Sequence, residues 1–243
     1  MVLIQFFYKD QEKIELVMNF LKDQFKEITS LLYTINNKAN NTIYDQKIIC
    51  YSGLKYINEK IEDLSFKIGP KSFFQTNSKQ AEVLYKSARK LANISKDDII
   101  YDLYTGTGTI AQFVSKNAKK VIGIDSVPEA IEAANESAKN NKIYNCSFFA
   151  GDMKNIFTDD FISEHGRPDL IITDPPRDGM HKKVVEQLLK IKSKRIVYIS
   201  CNSATQARDI ALLKDKYLIS KMQTVDMFPH THHIENILIL KLR

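Results

Sequence analysis

The stretch that decides the fold is Asp102-Leu-Tyr-Thr-Gly106-Thr-Gly108-Thr-Ile-Ala111. The residues just before it, DIIYDLY (98–104), have the apolar character of a buried strand, and residues 109–117 have that of a helix. Glycines at the point where a strand turns into a helix let the backbone turn sharply and approach a ligand closely. Gly106 and Gly108 therefore predict a nucleotide-type pocket in an α/β fold.

Alternating strands and helices continue on the carboxyl side of this turn. Strands are predicted at 98–104, 120–125, 146–152, 169–174 and 195–200, helices at 109–117, 127–140, 180–191 and 203–214, and a final pair of strands near 217–227 and 234–242. Such alternation implies a mostly parallel, Rossmann-like sheet that is covered by helices on both faces. The closing pair of strands predicts an antiparallel edge.

A smaller α/β unit is predicted on the amino side. Its expected elements are a buried strand at 2–8 and a helix at 11–27, followed by the segments 31–36 and 47–53 and by two short apolar runs near 54–58 and 64–68. Gly69-Pro70 then interrupts the pattern, and Asn77 is a suitable N-cap for a helix to about Leu91. We expect two domains, 1–65 and 66–243, and a chain that is truncated or shortened at its beginning.

Composition favours an intracellular protein with an anionic partner. The 243 residues carry a net charge of +6 and a pI near 9.0, which suits nucleic acid. Cys50, Cys146 and Cys201 are far apart and lack the CxxC spacing of zinc or iron–sulfur sites. We expect a cytoplasmic, monomeric protein with no membrane span, metal ion or iron–sulfur cluster.

Acidic residues lie at the carboxyl ends of four successive predicted strands: Asp102, Asp125, Asp152 and Asp174. Asp102 would attract an ammonium group but repel the pyrophosphate of NAD. Asp125 suits a ribose in either cofactor, and Asp152 is placed to touch an adenine. Together they favour S-adenosylmethionine, which is cationic. The alternative is that Asp102 and Asp152 merely cap the turns that follow them.

Cys201 follows the predicted strand RIVYIS (195–200) and precedes a helix, so it is expected over the same crevice. A helix N-terminus favours a thiolate, which makes Cys201 a candidate nucleophile. Carbon 5 of uracil attacks a methyl sulfonium only after a thiolate has added at carbon 6, and a base must then remove the carbon-5 proton. Glu235 is the candidate base. The alternative for Cys201 is a buried structural thiol, to which we assign Cys50 and Cys146.

Three histidines, His230, His232 and His233, suggest a metal site, but a fourth ligand at suitable spacing is missing, and polar residues are common in turns. His230 or His233 is instead a candidate for assisting proton transfer. Near the Asp174-Pro-Pro-Arg177 turn, Arg177 is a candidate for guiding RNA, together with Lys182 and Lys183. An ordinary solvated helix face is the alternative for these cations.

Five motifs, in order, resemble the RNA uracil-5-methyltransferases that act on transfer RNA and 23S ribosomal RNA. They are Ser72-Phe-Phe-Gln75-Thr-Asn77, Asp102-Leu-Tyr104 through Gly108, Asp174-Pro-Pro-Arg177, Ser200-Cys201-Asn202, and Asp226-Met-Phe-Pro229 through Glu235, which together span about residues 66–243. The family's amino-terminal barrel and four-cysteine motif are not found.

The resemblance implies a class I methyltransferase fold, Cys201 as nucleophile, Glu235 as base, and residues 1–65 as an RNA-contacting region. It also implies that the cofactor is lined by Gln75, Tyr104, Thr109, Asp125, Asp152 and Asp174. We expect 23S ribosomal RNA as substrate in preference to transfer RNA. Phe73 and Phe74 are expected to pack in the core. Departures from the family pattern are Thr105 for cysteine, Thr109 for asparagine, Asp125 for glutamate and Ser203 for proline.

Three other functions remain open. Asp174-Pro-Pro also resembles the motif of amino-methyltransferases, although those enzymes usually place an aromatic residue where Arg177 stands. A non-catalytic RNA-binding module would keep the fold without turnover. A dehydrogenase would require the chain to bind NAD in preference to S-adenosylmethionine.

Overall fold

The computed structural model describes residues 1–40, 42–43, 45–231 and 233–243. It divides into two compact units: unit 1 contains Met1–Glu59 and Phe66–Phe74, and unit 2 contains Lys60–Ser65 and Gln75–Arg243. The elements of the first unit and of the hairpin that follows it are β1 (Val2–Phe6), α1 (Gln11–Gln24), β2 (Ser30–Ile35), β3 (Ile49–Gly53), β4 (Ile57–Ile61) and β5 (Leu64–Ile68).

The small sheet of unit 1 has the order β1-β2-β3, with β1 parallel and β3 antiparallel to β2. Because parallel neighbours require a crossover, α1 connects β1 to β2. Asp10 caps this helix by accepting a hydrogen bond from Lys13 N, and the helix buries Ile14 and Met18 against Leu31 and other residues of the sheet. These elements form a small α/β unit, and the division into domains 1–65 and 66–243 stays a prediction.

The described part of unit 2 from Gln75 onward contains seven helices and seven strands. Its elements are α2 (Ser78–Ala92), β6 (Ile99–Leu103), α3 (Thr109–Ser115), β7 (Lys120–Asp125), α4 (Pro128–Asn140), β8 (Cys146–Ala150), α5 (Met153–Ile156), α6 (Asp159–His165), β9 (Leu170–Thr173), α7 (Lys182–Ile191), β10 (Arg195–Ser200), α8 (Ser203–Leu213), β11 (Tyr217–Val225) and β12 (Glu235–Leu242).

The seven-stranded sheet of unit 2 has the order β11-β12-β10-β9-β6-β7-β8. Strands β6 to β10 pair in parallel, whereas β12 is antiparallel to both β10 and β11. This confirms the predicted mostly parallel sheet with an antiparallel carboxyl-terminal edge. The strand order reverses between β6 and β9, and that switch point is where ligands of open α/β sheets bind.

Helices cover both faces of this sheet. α2, α3 and α4 contact strands of the sheet, α5 and α8 each contact α7, and α8 contacts β10. An apolar cluster joins Met153 of α5 and Leu188 of α7 to Tyr101 and other residues of the sheet. Strands β6, β7, β9 and β10 are buried on both faces and therefore show continuous apolar runs in the sequence. The structure differs from the prediction in β1, which stops at Phe6, and in α5 and α6, which were not predicted.

Both short helices begin at a polar cap. Asp152 accepts a hydrogen bond from Lys154 N at the start of α5, and Thr158 accepts one from Phe161 N at the start of α6. Elements of four and seven residues are too short to show a helical period in the sequence. Among the helices of the described residues, none is long and apolar enough to cross a membrane.

Candidate active site

The turn after β6 is held in a left-handed conformation. Tyr104 has φ 63°, Gly106 has φ 55° and Gly108 has φ 74°. A Cβ atom on Gly108 would lie 2.7 Å from Phe148 Cε1, so packing requires glycine there. On Gly106 it would meet no atom within 4 Å in the described part of the chain. Open space therefore lies beside Gly106, where the sequence predicts close approach of a ligand.

Asp102 anchors this turn from inside the sheet. Its side chain is 1% exposed, and Oδ2 accepts hydrogen bonds from Thr105 Oγ1 at 2.6 Å and from Ala111 N at 3.0 Å. Burial raises its pKa to about 7 despite these two donors. Oδ2 of Asp102 therefore caps the turn that follows β6, which is the alternative role that the sequence left open.

Asp125, at the end of β7, also supports the glycine turn. Its Oδ2 accepts a hydrogen bond from Gly106 N at 2.9 Å, and Oδ1 accepts one from Val127 N at 2.9 Å. The half-buried carboxylate thus fixes the loops after two neighbouring strands. Thr109, at the first position of α3, is buried with its hydroxyl 3.2 Å from that of Thr107.

Asp152 is exposed after β8 and caps α5. It accepts a hydrogen bond from Lys154 N and forms an ion pair with Lys154 Nζ at 2.9 Å. These contacts hold the pKa of Asp152 below its ordinary value. The capping use that the sequence left open is present here as well, and it directs the carboxylate to the carboxyl edge of the sheet.

Asp174 lies immediately after β9, at the switch point. Its backbone N–H donates a long hydrogen bond to Leu103 O at 3.5 Å. Burial, followed by the charges of Glu235 and Asp102, raises the pKa of Asp174 well above its ordinary value. The carboxyl groups of Glu235 and Asp102 therefore lie close enough to Asp174 to disfavour its charge.

Cys201 and Glu235 are brought together by the antiparallel register. Ser200 of β10 pairs with Asn236 of β12, so Cys201, one residue after Ser200, comes opposite Glu235, one residue before Asn236. Burial raises the pKa of Glu235 to about 7, and its Oε2 atom is buried without a hydrogen-bond partner among the described residues. This orphaned oxygen is available to a substrate.

Arg177 completes the group from the loop after β9. Its exposed side chain lies close enough to Cys201 to lower the pKa of the thiol. Burial, followed by the charges of Glu235 and Asp174, raises the pKa of Cys201, while Arg177 lowers it. Arg177 is therefore the group in this cluster that favours the thiolate, a role beyond the RNA guidance that the sequence suggested.

Comparison with known proteins assigns this arrangement to a family. The model of the tRNA (Uracil-5-)-methyltransferase family matches residues 21–243. The chain belongs to this family. An uncharacterized RNA methyltransferase of Bacteroides thetaiotaomicron is 56% identical over 234 residues, which are 96% of this chain and 52% of that protein. One of Porphyromonas gingivalis is 54% identical over 242 residues, 99% of this chain and 52% of that protein.

A solved family relative has the same fold. The structure of Pyrococcus abyssi tRNA (uracil-54, C5)-methyltransferase, in complex with S-adenosyl-L-homocysteine, superposes with a TM-score of 0.76 at 33% identity. The match covers 90% of this chain and 52% of that one. The chain thus spans about half the length of the family members that it matches.

Gln75 and Tyr104 are the remaining residues that the resemblance implies for the cofactor pocket. Gln75 is half-buried at the start of the catalytic unit. Tyr104 is also half-buried, and burial raises the pKa of its hydroxyl to about 12. Phe73 is 72% exposed, so the expectation that it packs in the core is wrong. Phe74 is half-buried and packs against Phe66.

The histidine alternatives receive no structural support for a metal. His232 lies outside the described residues, and within the rest no group of three histidine, cysteine, aspartate or glutamate side chains could hold a metal ion. His230 is exposed with φ 79°, and His233 is half-buried. Cys146 is half-buried on β8, where burial raises its pKa to about 12, as expected for a structural thiol.

Sequence analysis missed a set of polar residues on the helices that flank the family's motifs. Tyr85 on α2 is buried, and burial together with the charges of Asp174 and Asp102 raises its pKa. Asp209 on α8 is fully buried and accepts a hydrogen bond from Tyr198 at 2.7 Å. An acidic residue in the middle of an amphipathic helix, after the Cys201 motif, was the signal for Asp209.

Proposed function

We propose that this chain is the catalytic part of an S-adenosylmethionine-dependent methyltransferase that methylates carbon 5 of a uridine in RNA. The observation that carries the proposal is the placement of Cys201 opposite Glu235, beside the glycine turn and Asp174. A thiol and a carboxyl with a pKa of about 7 are the two groups that covalent uracil methylation needs.

The residues present fit the proposed cofactor. Open space at Gly106 admits a ligand, and the carboxyl groups of Asp102 and Asp174 supply negative charge for a cationic one. The residues proposed to hold the cofactor are Gln75, Asp102, Tyr104, Gly106, Gly108, Thr109, Asp125, Asp152 and Asp174. When bound, S-adenosylmethionine supplies an electrophilic methyl group.

Cys201 begins the proposed reaction as a thiolate, which the Arg177 guanidinium favours. Its sulfur forms a bond to carbon 6 of the uracil, and the electron pair of the carbon 5–carbon 6 double bond moves toward the carbonyl at carbon 4. Carbon 5 thereby becomes nucleophilic and would take the methyl group as its bond to the sulfonium breaks, leaving S-adenosylhomocysteine. The methylated base is now saturated at both carbons and bound to the protein through sulfur.

Glu235 ends the reaction. As a carboxylate it takes the proton from carbon 5, the double bond re-forms, and the carbon 6–sulfur bond breaks to release Cys201 as a thiolate. A pKa of about 7 suits this role because the group is partly ionised at neutral pH yet is a stronger base than an ordinary carboxylate. The proton then passes from Glu235 to solvent.

The proposed substrate is a uridine of ribosomal or transfer RNA. The base must leave its stack to reach a pocket at the edge of a sheet. Arg177 stands at that edge, and Lys182 and Lys183 are exposed at the start of α7. The Pyrococcus relative acts on uracil 54 of tRNA, whereas the sequence prediction favours 23S ribosomal RNA. Residues 1–65 are proposed as a further RNA-contacting region, and the cytoplasm as the site of action.

The test is mass spectrometry of the protein after incubation with S-adenosylmethionine and RNA in which 5-fluorouracil replaces uracil. Fluorine in place of the carbon-5 proton prevents elimination, so we expect a covalent RNA adduct that Cys201→Ser loses and the matched control Cys50→Ser keeps. Both 23S and transfer RNA are used. Turnover of ordinary RNA by Cys201→Ala, or methylation at a nitrogen, contradicts the proposal.

A further inference from the structure

Asp209, a buried carboxylate on α8, is bonded to the loop that carries Arg177. The side chain is 0% exposed. Its Oδ2 accepts hydrogen bonds from Met180 N at 2.8 Å and from Tyr198 Oη at 2.7 Å. Oδ1 accepts from Arg208 Nε at 2.9 Å and from Arg208 Nη2 at 2.8 Å. A buried charge with four such donors is strongly anchored.

The same helix holds the loop at two more points. Arg208 Nη2 donates to Asp178 O at 2.8 Å, and Thr205 Oγ1 donates to Arg177 O at 3.0 Å. Asn202, the N-cap of α8, donates from Nδ2 to Arg177 O at 3.0 Å. Backbone carbonyls and one N–H of residues 177–180 are thus fixed by side chains of α8.

Gly179 of the 177–180 turn packs closely against the side chains of Arg208 and Asp209. Gly179 has φ 77°, and a Cβ atom there would lie 2.6 Å from Arg208 Nη2 and 2.8 Å from Asp209 Oδ2. Gly179 N also donates to Pro176 O at 2.8 Å, which closes a tight turn. The turn therefore sits directly on the Asp209–Arg208 pair.

We infer that Asp209 is a positioning residue that holds the 177–180 turn so that the Arg177 guanidinium stays beside the Cys201 thiol. The inference rests on the proposed function for its catalytic meaning. Asp209 acts through Met180 N and Arg208, and Thr205 acts in parallel on Arg177 O. The loop after β9 and the loop after β10 are thereby joined into one rigid unit.

Loss of this anchor has a defined chemical consequence. The groups that face Cys201 are Arg177, Glu235 and Asp174, of which Arg177 alone lowers the thiol pKa. When the turn loosens, the guanidinium moves away while both carboxyls remain, so the thiolate fraction at neutral pH falls. Cofactor binding need not change, so the loss is expected in kcat and not in KM for S-adenosylmethionine.

The first variant is Asp209→Asn, which keeps the size of the side chain. The asparagine side chain has one oxygen acceptor, which can accept from either Met180 N or Arg208. Its NH₂ group then faces the other donor, so one of the two sets of hydrogen bonds is lost. The matched control is Asp169→Asn, another carboxylate of the same sheet, which bonds Ile99 N and Lys194 at the opposite edge.

Two variants of Thr205 test the same inference if Asp209→Asn fails to fold. Thr205→Val has nearly the same shape as threonine but cannot donate to Arg177 O, whereas Thr205→Ser restores the hydroxyl. Arg177→Gln is the reference that removes the cation itself. The measurement is the rate of alkylation of Cys201 by iodoacetamide as a function of pH, followed on the Cys201 peptide by mass spectrometry, with methylation kinetics alongside.

We expect Arg177→Gln, Asp209→Asn and Thr205→Val each to raise the midpoint pH of alkylation, by up to about 1 unit. The same variants lower kcat at neutral pH by up to about tenfold, with KM for S-adenosylmethionine within about twofold. Thr205→Ser and Asp169→Asn keep the wild-type midpoint. Unchanged midpoints in Asp209→Asn and Thr205→Val, or in Arg177→Gln, overturn the inference. A wild-type chain without methyltransferase activity, but with these shifts in alkylation, contradicts the proposed function alone.

Discussion

Glu235 faces Cys201 across the antiparallel pair β10–β12, because Ser200 and Asn236 are partners in the register. A thiol at the end of one strand and a carboxyl at the start of another are thus set by main-chain hydrogen bonds. Their relation does not depend on a flexible loop. The reaction proposed for this pair leads to the first prediction.

Glu235→Gln should separate the two halves of the reaction. Without a base, the methylated uracil stays bound to Cys201, so the variant accumulates a covalent adduct with ordinary, fluorine-free RNA. We expect turnover to fall by about 10²–10⁴-fold, the usual contribution of a general base. Gel shift under denaturing conditions measures the adduct. Glu186→Gln, an exposed glutamate on α7, is the control; an unreduced rate in Glu235→Gln contradicts the assignment.

Stability of the chain without ligand should fall as the pH rises from about 4.5 to about 7. The pKa of Glu235 is raised from 4.5 to about 7, so the folded state holds this proton more tightly than the unfolded state does. The contribution is therefore present in full below pH 4.5 and is lost as the pH rises through 7. Asp102, raised from 3.8 to about 7, acts in the same direction.

The measurement is urea unfolding of the wild type and Glu235→Gln between pH 5 and pH 8. We expect the variant to be more stable at pH 8, relative to the wild type, by about 2 kcal/mol. At pH 5 the difference should be close to zero. If the free energy of unfolding changes with pH by the same slope in both proteins, the pKa of Glu235 has its ordinary value.

Alanine at the two glycines of the turn should have different effects. Gly108→Ala places a methyl group against Phe148 and Ala134, so we expect destabilisation by about 2 kcal/mol. Gly106→Ala adds only the strain of its φ of 55°, about 1 kcal/mol, but fills the open space. Thermal unfolding and calorimetry with S-adenosylmethionine separate them. Cofactor binding that survives in Gly106→Ala would place the ligand elsewhere.

Lysines at the two edges of the seven-stranded sheet should differ in their contribution to RNA binding. Lys182 and Lys183 lie at the carboxyl edge, and Lys214 and Lys216 lie exposed before β11 at the opposite edge. Replacement of the first pair by glutamine should weaken RNA binding and reduce the slope of log K against log salt by about 1. The second pair is the matched control. Equal effects of both pairs would indicate a non-specific charge contribution.

Much of the fold could be predicted because its central strands are buried on both faces. Runs such as LIIT (170–173) and RIVYIS (195–200) are apolar throughout, which marks parallel strands. The short helices α5 and α6 could not be predicted, since each is set by a single cap and has too few residues for a period. Phe73 was placed wrongly because composition does not tell an exposed aromatic from a core one.

The candidate site was predictable in its residues but not in its contacts. Spacing placed Cys201, Glu235 and Asp174 at one edge of the sheet, since strand ends meet there. That Arg177 contacts the thiol depends on the path of a four-residue turn, which the sequence does not specify. Asp209 escaped notice because its partner, Met180 N, is a backbone group 29 residues away.

The position of β12 also sets the order in which the protein can become active during its synthesis. This strand lies between β10 and β11 in the sheet, although it follows both in the chain. Until β12 has left the ribosome, β10 and β11 have no shared neighbour, and Cys201 has no carboxyl opposite it. A nascent chain therefore carries the proposed nucleophile without its proposed base until β12 joins the sheet, and the same step brings Cys201 and Glu235 together.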